Sequence, residues 1–249
     1  MTEDRLYQDP DLADFYDVEN EWSGDQAYCR LLAADCGAVL DLGCGSGRLA
    51  AELAAGDDRR VVFGVDPAGP MLDIARSRPG GGRVTWVQSD GRTVRLDRRF
   101  DLVVLTGHAF QVFLTAGDQL AALQTIAAHM APGGRFIFDS RDPTVREWQE
   151  WTPEASRRRI DHPRLGPVDA WNDVAEDPDT GIVTYGTHYR ILADGRVLSA
   201  QSQIAFPPRA QLERLIAEAG LVVDTWLGDW TGQPWRPGAR DFIPLGRLA

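Results

Sequence analysis

Cysteine is scarce in this chain: three in 249 residues, Cys29, Cys36 and Cys44, with no Cys-x-x-Cys pair. That excludes a disulfide framework and a cysteine-based zinc site, and no metal is expected. No apolar run approaches the roughly 20 residues that a membrane-spanning helix needs. The opening residues, Met1-Thr-Glu-Asp-Arg-Leu-Tyr7, are polar and acidic and do not read as a signal peptide. Positive charge is short as well, with 26 Lys plus Arg against 37 Asp plus Glu and a net charge of −11. Nucleic-acid binders usually carry a basic footprint, so this balance argues against DNA or bulk RNA as substrate. The one basic cluster of note, Arg157-Arg158-Arg159, reads as a solvated face. These absences predict a cytoplasmic protein with neither membrane nor nucleic acid as partner.

What is present is a globular composition. Hydrophobic residues make up 43% of the chain, enough for a real core. The length suits one enlarged α/β domain or one domain with a small appendage. Residues 1–35 read as one or two helices. From residue 37 the chain alternates, with strands at 38–42, 61–65, 83–87, 100–105 and 135–139. Helices fall between them at 47–55, 70–77 and 119–130. Such alternation implies a parallel, doubly wound sheet. Phe100–Leu105 is a continuous apolar run, as expected of a strand buried on both faces. Over residues 168–206 the pattern changes to three extended segments separated by turn signals, among them Asp194-Gly195, a strong hairpin signal. A helix at 210–219 and strands at 221–227 and 241–248 close the chain. The implied organisation is an N-terminal helical lid (1–35), a nucleotide-binding core (36–145), an antiparallel β cap (146–206) and a closing helix and hairpin of the core (207–249).

The chemistry concentrates in Val39-Leu-Asp-Leu-Gly-Cys-Gly-Ser-Gly-Arg-Leu-Ala50. A short strand ends near Asp41, Gly43, Gly45 and Gly47 follow at alternate positions, and a helix begins. Glycines serve where the chain turns sharply and a ligand approaches the backbone. Backbone N–H groups at the helix start favour an electron-rich ligand group. Cys44 sits inside the turn, where a small side chain packs. The dinucleotide pattern G-x-G-x-x-G/A is not met, because Arg48 stands at its last position. Asp66 ends the next strand roughly 20 residues on, the distance expected of a ribose-binding acid; alone it also reads as a helix N-cap. Asp90-Gly91 follows the third strand and has a plain turn reading beside a functional one. His108 leaves the carboxyl end of the fourth strand, where doubly wound sheets bind their ligands. Its ordinary pKa of about 6.5 suits a base near neutrality, and a purely structural hydrogen bond is the competing reading. Phe110 and Gln111 either shape a site or start the next helix. Arg141 either binds an anionic substrate or pairs with Asp139 or Asp142. His188 shares a strand face with Thr184 and Gly186, opposite Val183, Tyr185, Tyr189 and Ile191. Which face meets the substrate is open. Trp226, Trp230 and Trp235 read as surface packing, an oligomer contact or a substrate mouth.

Asp41-x-Gly43-x-Gly45-x-Gly47, Asp66, Asp90, Phe100-Asp-Leu-Val-Val-Leu105 and Ala131-Pro-Gly-Gly-Arg-Phe136 together resemble the class I S-adenosylmethionine (SAM) dependent methyltransferases of small molecules. The resemblance covers about residues 38–140 and 210–248. It implies a Rossmann-like, seven-stranded, mostly parallel sheet with a helical lid and an inserted antiparallel cap. The implied cofactor is SAM, with S-adenosylhomocysteine (SAH) as product. It would be held by Asp41, Gly43, Cys44, Gly45, Gly47, Asp66, Pro67, Met71, Asp90, Gly91 and Thr106. A small-molecule N, O or C nucleophile would be the acceptor, as in natural-product tailoring. Tyr16, Trp22, Phe110, Gln111, Arg141 and His188 would line its site, with His108 as catalytic base. The family also allows a homodimer. An NAD(P)-dependent oxidoreductase and a non-catalytic SAM-binding protein are the alternatives.

Overall fold

The computed structural model describes residues 4–249. Four short helices open the chain, α1 (Arg5–Gln8), α2 (Pro10–Ala13), α3 (Tyr16–Glu19) and α4 (Gly24–Leu32). The Asp4 and Asp9 carboxylates accept the N–H groups of Leu6 and Asp11 and cap the first two. Pro10 starts α2, where a missing N–H costs nothing. Ser23 and Gln26 form a capping box at the start of α4.

The core then alternates as expected: β1 (Ala38–Leu42), α5 (Arg48–Gly56), β2 (Val61–Asp66), α6 (Gly69–Ser77), β3 (Thr85–Gln88), β4 (Phe100–Leu105), α7 (Ala116–His129) and β5 (Met130–Phe138). A two-residue strand, β6 (Ser140–Arg141), continues β5. The cap holds β7 (Arg158–His162), β8 (Gly166–Glu176), β9 (Val183–Ile191) and β10 (Val197–Ile204). Helix α8 (Arg209–Glu218) and strands β11 (Leu221–Leu227) and β12 (Asp241–Leu248) return to the core.

The main sheet runs β11-β12-β5-β4-β1-β2-β3, with β6 on the start of β12. Strands β1 to β5 are parallel, and β12 is antiparallel to both neighbours. Strand order reverses between β1 and β4, so the carboxyl ends of these two strands frame the switch-point crevice of a doubly wound sheet. Both faces of the sheet are covered, which accounts for the unbroken apolar runs. Leu40, Val103, Leu105, Phe136 and Phe138 pack under α7 and α8. Val39, Leu102, Val104 and Ile137 pack under α4 and α5, where Cys29 and Cys36 act as small core residues.

The cap has four antiparallel strands, in the order β10-β9-β8-β7. The turn signals predict three, and the run Arg157-Arg158-Arg159 a solvated face. Residues 158–162 instead pair with β8, Arg158 opposite Ala170 and Ile160 opposite Val168. The two-residue period splits the arginines: Arg159 pairs with Asp169 on the outer face, while Arg158 turns inward to Glu19 and Asn172. The inner face, with Ile160, Val168, Ala170, Tyr189 and Ile191, packs on Leu12 and Phe15 of the N-terminal helices. Phe15 stacks on Tyr189 at 3.9 Å. Both Tyr189 and Arg158 bond the carboxylate of Glu19, which ties the lid to the cap. Thus the face carrying Tyr185 and Tyr189 turns inward, and His188 stands on the outer face.

Candidate active site

The turn after β1 is built on backbone geometry. Val65 O accepts the N–H groups of Gly43 (2.7 Å) and Cys44 (3.0 Å), which fastens the turn to β2. Gly43, Gly45 and Gly47 all have positive φ, a region costly for side-chain-bearing residues. A Cβ on Gly47 would lie 2.6 Å from Ala75 Cβ and would clash with the Trp86 ring. Trp86 also lies across Gly64 of β2, so that a Cβ there would clash with the same ring. One indole therefore needs both glycines bare. Cys44 packs beside it, within 3.1 Å of the same Gly64 position.

Beyond the turn lies a narrow cavity of about 50 Å³, lined by residues that include Tyr16, Asp25, Asp41, Gly43, Arg48, Thr106 and Gly107. Asp41 is 3% exposed and forms no ion pair among the described residues. Burial, and then the charges of Asp66 and Asp25, push its carboxyl up to about 7. Arg48 brings a guanidinium to the same cavity, held 3.5 Å from the Asp17 carboxylate. A buried carboxylate with no ion pair among the described residues, in a cavity also lined by an arginine, offers both charges that the dipolar α-amino-acid end of SAM needs. Asp66 accepts the N–H groups of Gly45 and Ala68, both at 2.8 Å, and burial raises its pKa. Next to it Ala68 and Met71 pack with Ala13, Tyr7 and Tyr16, so the lid covers this side. The Pro67 carbonyl accepts from Gln8 of the lid and from Gln88. The residues present fit the cofactor.

The second cluster sits at the carboxyl ends of β4 and β5. Gly107 and His108 both adopt left-handed backbone, with φ of 67° and 59°. The chain turns back there, and Asp139 Oδ1 accepts the His108 N–H at 3.0 Å. His108 Nε2 lies 3.1 Å from Asp241 Oδ1 and 3.5 Å from Asp139 Oδ2. Burial works against the charged imidazole, but Asp139 and Asp241 outweigh it and its pKa stands above the ordinary value. Burial in turn pushes Asp139 up to about 6. Asp139 Oδ2, Ser140 Oγ and Arg141 Nε are buried without a hydrogen bond.

The structure sorts the remaining expected site residues. Asp90 is engaged by Arg92, which donates from its backbone N (2.8 Å) and from Nε (3.0 Å), and this holds its carboxyl below the ordinary range. A Cβ on Gly91 would meet Leu42 and Phe113 at ordinary contact distance. Phe110 is a core residue stacked on Phe138 at 4.4 Å, because the chain turns inward after His108. Gln111 is fully buried and acts as a bridge, donating to Ala205 O (2.8 Å) and accepting from Arg141 (3.0 Å). Arg141 pairs with neither Asp139 nor Asp142; its guanidinium lies 5.2 Å over the Trp151 ring and 3.4 Å from Glu147. Trp22 packs in the α4–α5 cluster beneath Arg30. His188, on the outer cap face, is bonded to Asp173 and Ser199, both at 2.8 Å, and stacks on Trp171. His129 bonds the Thr125 carbonyl of its own helix. His162 ends β7 and is buried against Phe15. Trp226 and Trp235 flank Arg209, while Trp230 packs with Tyr28. Sequence reasoning missed Asp25 and Arg48 as cavity residues, and Asp241 altogether. Asp241 lies 133 residues from His108, beyond any spacing rule.

A larger, shallow hollow of about 330 Å³ lies between Pro143, Arg209, Trp235 and Phe242. It holds none of the glycine-turn residues. Among the described residues no helix is long and apolar enough to cross a membrane, and no three His, Cys, Asp or Glu side chains gather as a metal site.

Comparison with known proteins agrees with this geometry. The family described as "Methyltransferase domain" matches residues 39–134, from β1 into β5. The chain is 28% identical to the cypemycin N-terminal methyltransferase of Streptomyces sp over 205 residues, 82% of this chain and 80% of the relative. Among solved structures, the CcbJ methyltransferase from Streptomyces caelestis superposes with a TM-score of 0.77 at 22% identity, over 98% of both chains. SAM-bound CalS10, an amino pentose methyltransferase from Micromonospora echinaspora, gives 0.65 at 23% identity over 94% of both. The glycine turn, the strand order and these likenesses converge in support of a class I SAM-dependent methyltransferase, with SAM as the cofactor.

Proposed function

We propose that this enzyme methylates the amine of a small natural-product-like molecule, with the acceptor entering beside His108. The observation that carries this reading is the pairing of two adjoining acidic centres. Asp41 and Asp25 line the cofactor cavity, and Asp139 and Asp241 surround His108. Such an arrangement favours cationic groups on both reactants. The relative matched over 82% of this chain, named an N-terminal methyltransferase, supports nitrogen as the accepting atom.

When bound, SAM supplies an electrophilic methyl group on a sulfonium. In this reading Asp41 and Asp25 hold its ammonium, Arg48 its carboxylate and Asp66 its ribose hydroxyls. Gly43, Gly45 and Gly47 let the ligand approach the backbone, with Cys44 and Thr106 beside it. Pro67, Met71 and Gly91 flank the adenine, and Asp90 meets its amine once released from Arg92. Tyr16 and the lid exclude water, so orientation and desolvation supply much of the catalysis. Trp151 and Tyr185, 5.6 Å apart, form with Arg141 the cap wall of the acceptor space. His108 takes the proton that the acceptor gives up.

Calorimetry with SAM and SAH, followed by methyl transfer to a panel of amines, phenols, carboxylates and indoles, tests the reading. Micromolar binding of both and turnover with amines is the expected result. Heat with NAD but with neither SAM nor SAH would turn the protein into an oxidoreductase candidate, and binding without any turnover into a non-catalytic SAM binder. Asp66→Ala is expected to weaken SAM about ten- to a hundredfold, the worth of one or two hydrogen bonds to a charged group, and to leave the acceptor KM nearly unchanged. A larger effect on the acceptor than on SAM would overturn the ribose assignment.

A further inference from the structure

We infer that Asp241 and Asp139 act as positioning residues that fix His108 in one tautomer and make its Nδ1 the atom that takes the amine's proton. The inference rests on the reading of His108 as the acceptor-side residue. Asp241 Oδ1 lies 3.1 Å from Nε2, and Asp139 Oδ2 stands 3.5 Å from the same nitrogen. A carboxylate only accepts, so Nε2 must donate. The neutral ring then carries its hydrogen on Nε2, and the lone pair on Nδ1 is the free base. Nδ1 has no hydrogen-bond partner among the described residues.

The backbone points the same way. His108 is one of two non-glycine residues with positive φ among those described. That conformation costs about 1 kcal/mol or more, and buried Asp139 holds it through the His108 N–H at 3.0 Å. A single carboxylate thus orients the ring through the main chain and faces its charge through Oδ2, an atom with no hydrogen bond of its own.

The charged groups around the ring set its proton affinity. Asp139 comes from the end of β5 and Asp241 from the start of β12; Arg141 on β6 opposes them, and Asp25 of α4 adds negative charge near Asp139. Raising the imidazole above about 6.5 moves it toward the range of an α-amino group, about 7.7–8.0. The direction of the shift brings proton transfer from such an ammonium nearer to balance, whereas an alcohol lies far out of reach. In the step, the ammonium N–H bond breaks and an Nδ1–H bond forms. The positive charge moves to the ring between two carboxylates, and the amine keeps the lone pair for its new N–C bond. The chain contains no lysine, so no side-chain amine of its own competes for this role.

The test is nitrogen-15 NMR of the histidine rings, assigned by comparison with His108→Gln, across pH 5–9, in ligand-free protein and with SAH added. The neutral His108 ring is expected as the Nε2–H tautomer, with a pKa above 6.5. Asp241→Asn should lower that pKa by about one unit, the effect of losing one nearby carboxylate, and Asp241→Glu should restore it. In turnover with an amine, the acid limb of kcat/KM should move to lower pH by the same amount and the plateau should fall. An Nδ1–H tautomer in the wild-type protein, or a pKa unmoved in Asp241→Asn, overturns the inference. Should Asp241→Asn not fold, the wild-type tautomer alone decides. Because the ring is read without ligand, failure of SAH to bind would strike the proposed function and leave this result standing.

Discussion

Asp41→Asn is expected to lose most of its affinity for SAM while the ligand-free protein becomes more stable above pH 7. The affinity loss follows from removing the charge that meets the ammonium. A charge-assisted hydrogen bond contributes about 1.5–3 kcal/mol, so Kd should rise about ten- to a hundredfold or somewhat more. The gain in stability follows from burial. The folded Asp41 carboxyl titrates at about 7 against an ordinary 3.8. Between those values the folded chain holds a proton that the unfolded chain releases. Stability therefore falls as pH rises from about 4 to 7 and stays reduced above it, by up to about 4 kcal/mol. Asparagine has nearly the same shape and no charge to bury. Thermal unfolding of both proteins at pH 5 and pH 8 checks this: Asp41→Asn should match the wild type more closely at pH 5 and exceed it at pH 8. The same proton makes SAM bind more weakly below pH 7 in the wild type, by as much as tenfold per pH unit. An Asp41→Asn variant that binds SAM normally, or that melts below the wild type at pH 8, would sink the assignment.

Gly47→Ala is expected to be among the most destabilising single-methyl additions in the chain. Its φ of 72° strains any side chain by about 1 kcal/mol or more. The new Cβ would also sit 2.6 Å from Ala75 Cβ, on a helix that cannot yield easily. Overpacking of this kind costs typically about 1–3 kcal/mol. The sum, about 2–4 kcal/mol, corresponds to roughly 5–15 °C in Tm for a chain of this size. Gly56 provides the control, since a Cβ there meets nothing within 4 Å. Calorimetric Tm values for Gly47→Ala and Gly56→Ala should differ by most of that amount. Equal values would mean that the turn and Trp86 shift freely, contrary to the packing described.

The parts of the fold legible in the sequence are those with a local cause. The strand–turn–helix at residues 38–56 needs glycines at set positions, and the buried strands need unbroken apolar runs. The β9–β10 hairpin follows from a local turn signal. Strand β7 was hidden because three arginines look solvated in one dimension, whereas pleating sends Arg158 inward to Glu19. Phe110 and Gln111 looked like site residues because they follow His108, yet one turn of chain carries both into the interior. His188 stands on the outer cap face, which only the packing of Tyr189 on Phe15 decides.

The sequence by itself determined the fold around the glycine turn: the turn, Asp41, Asp66 and the β/α alternation all lie within one contiguous stretch, where backbone geometry follows from neighbours along the chain. Only the tertiary structure decided what surrounds His108 and how the lid meets the cap. His108, Asp139 and Asp241 come from three strand ends, and Glu19, Arg158 and Tyr189 from the lid and the cap. Their proximity follows from strand order and sheet packing, which bring together residues more than a hundred positions apart, and no local spacing encodes it.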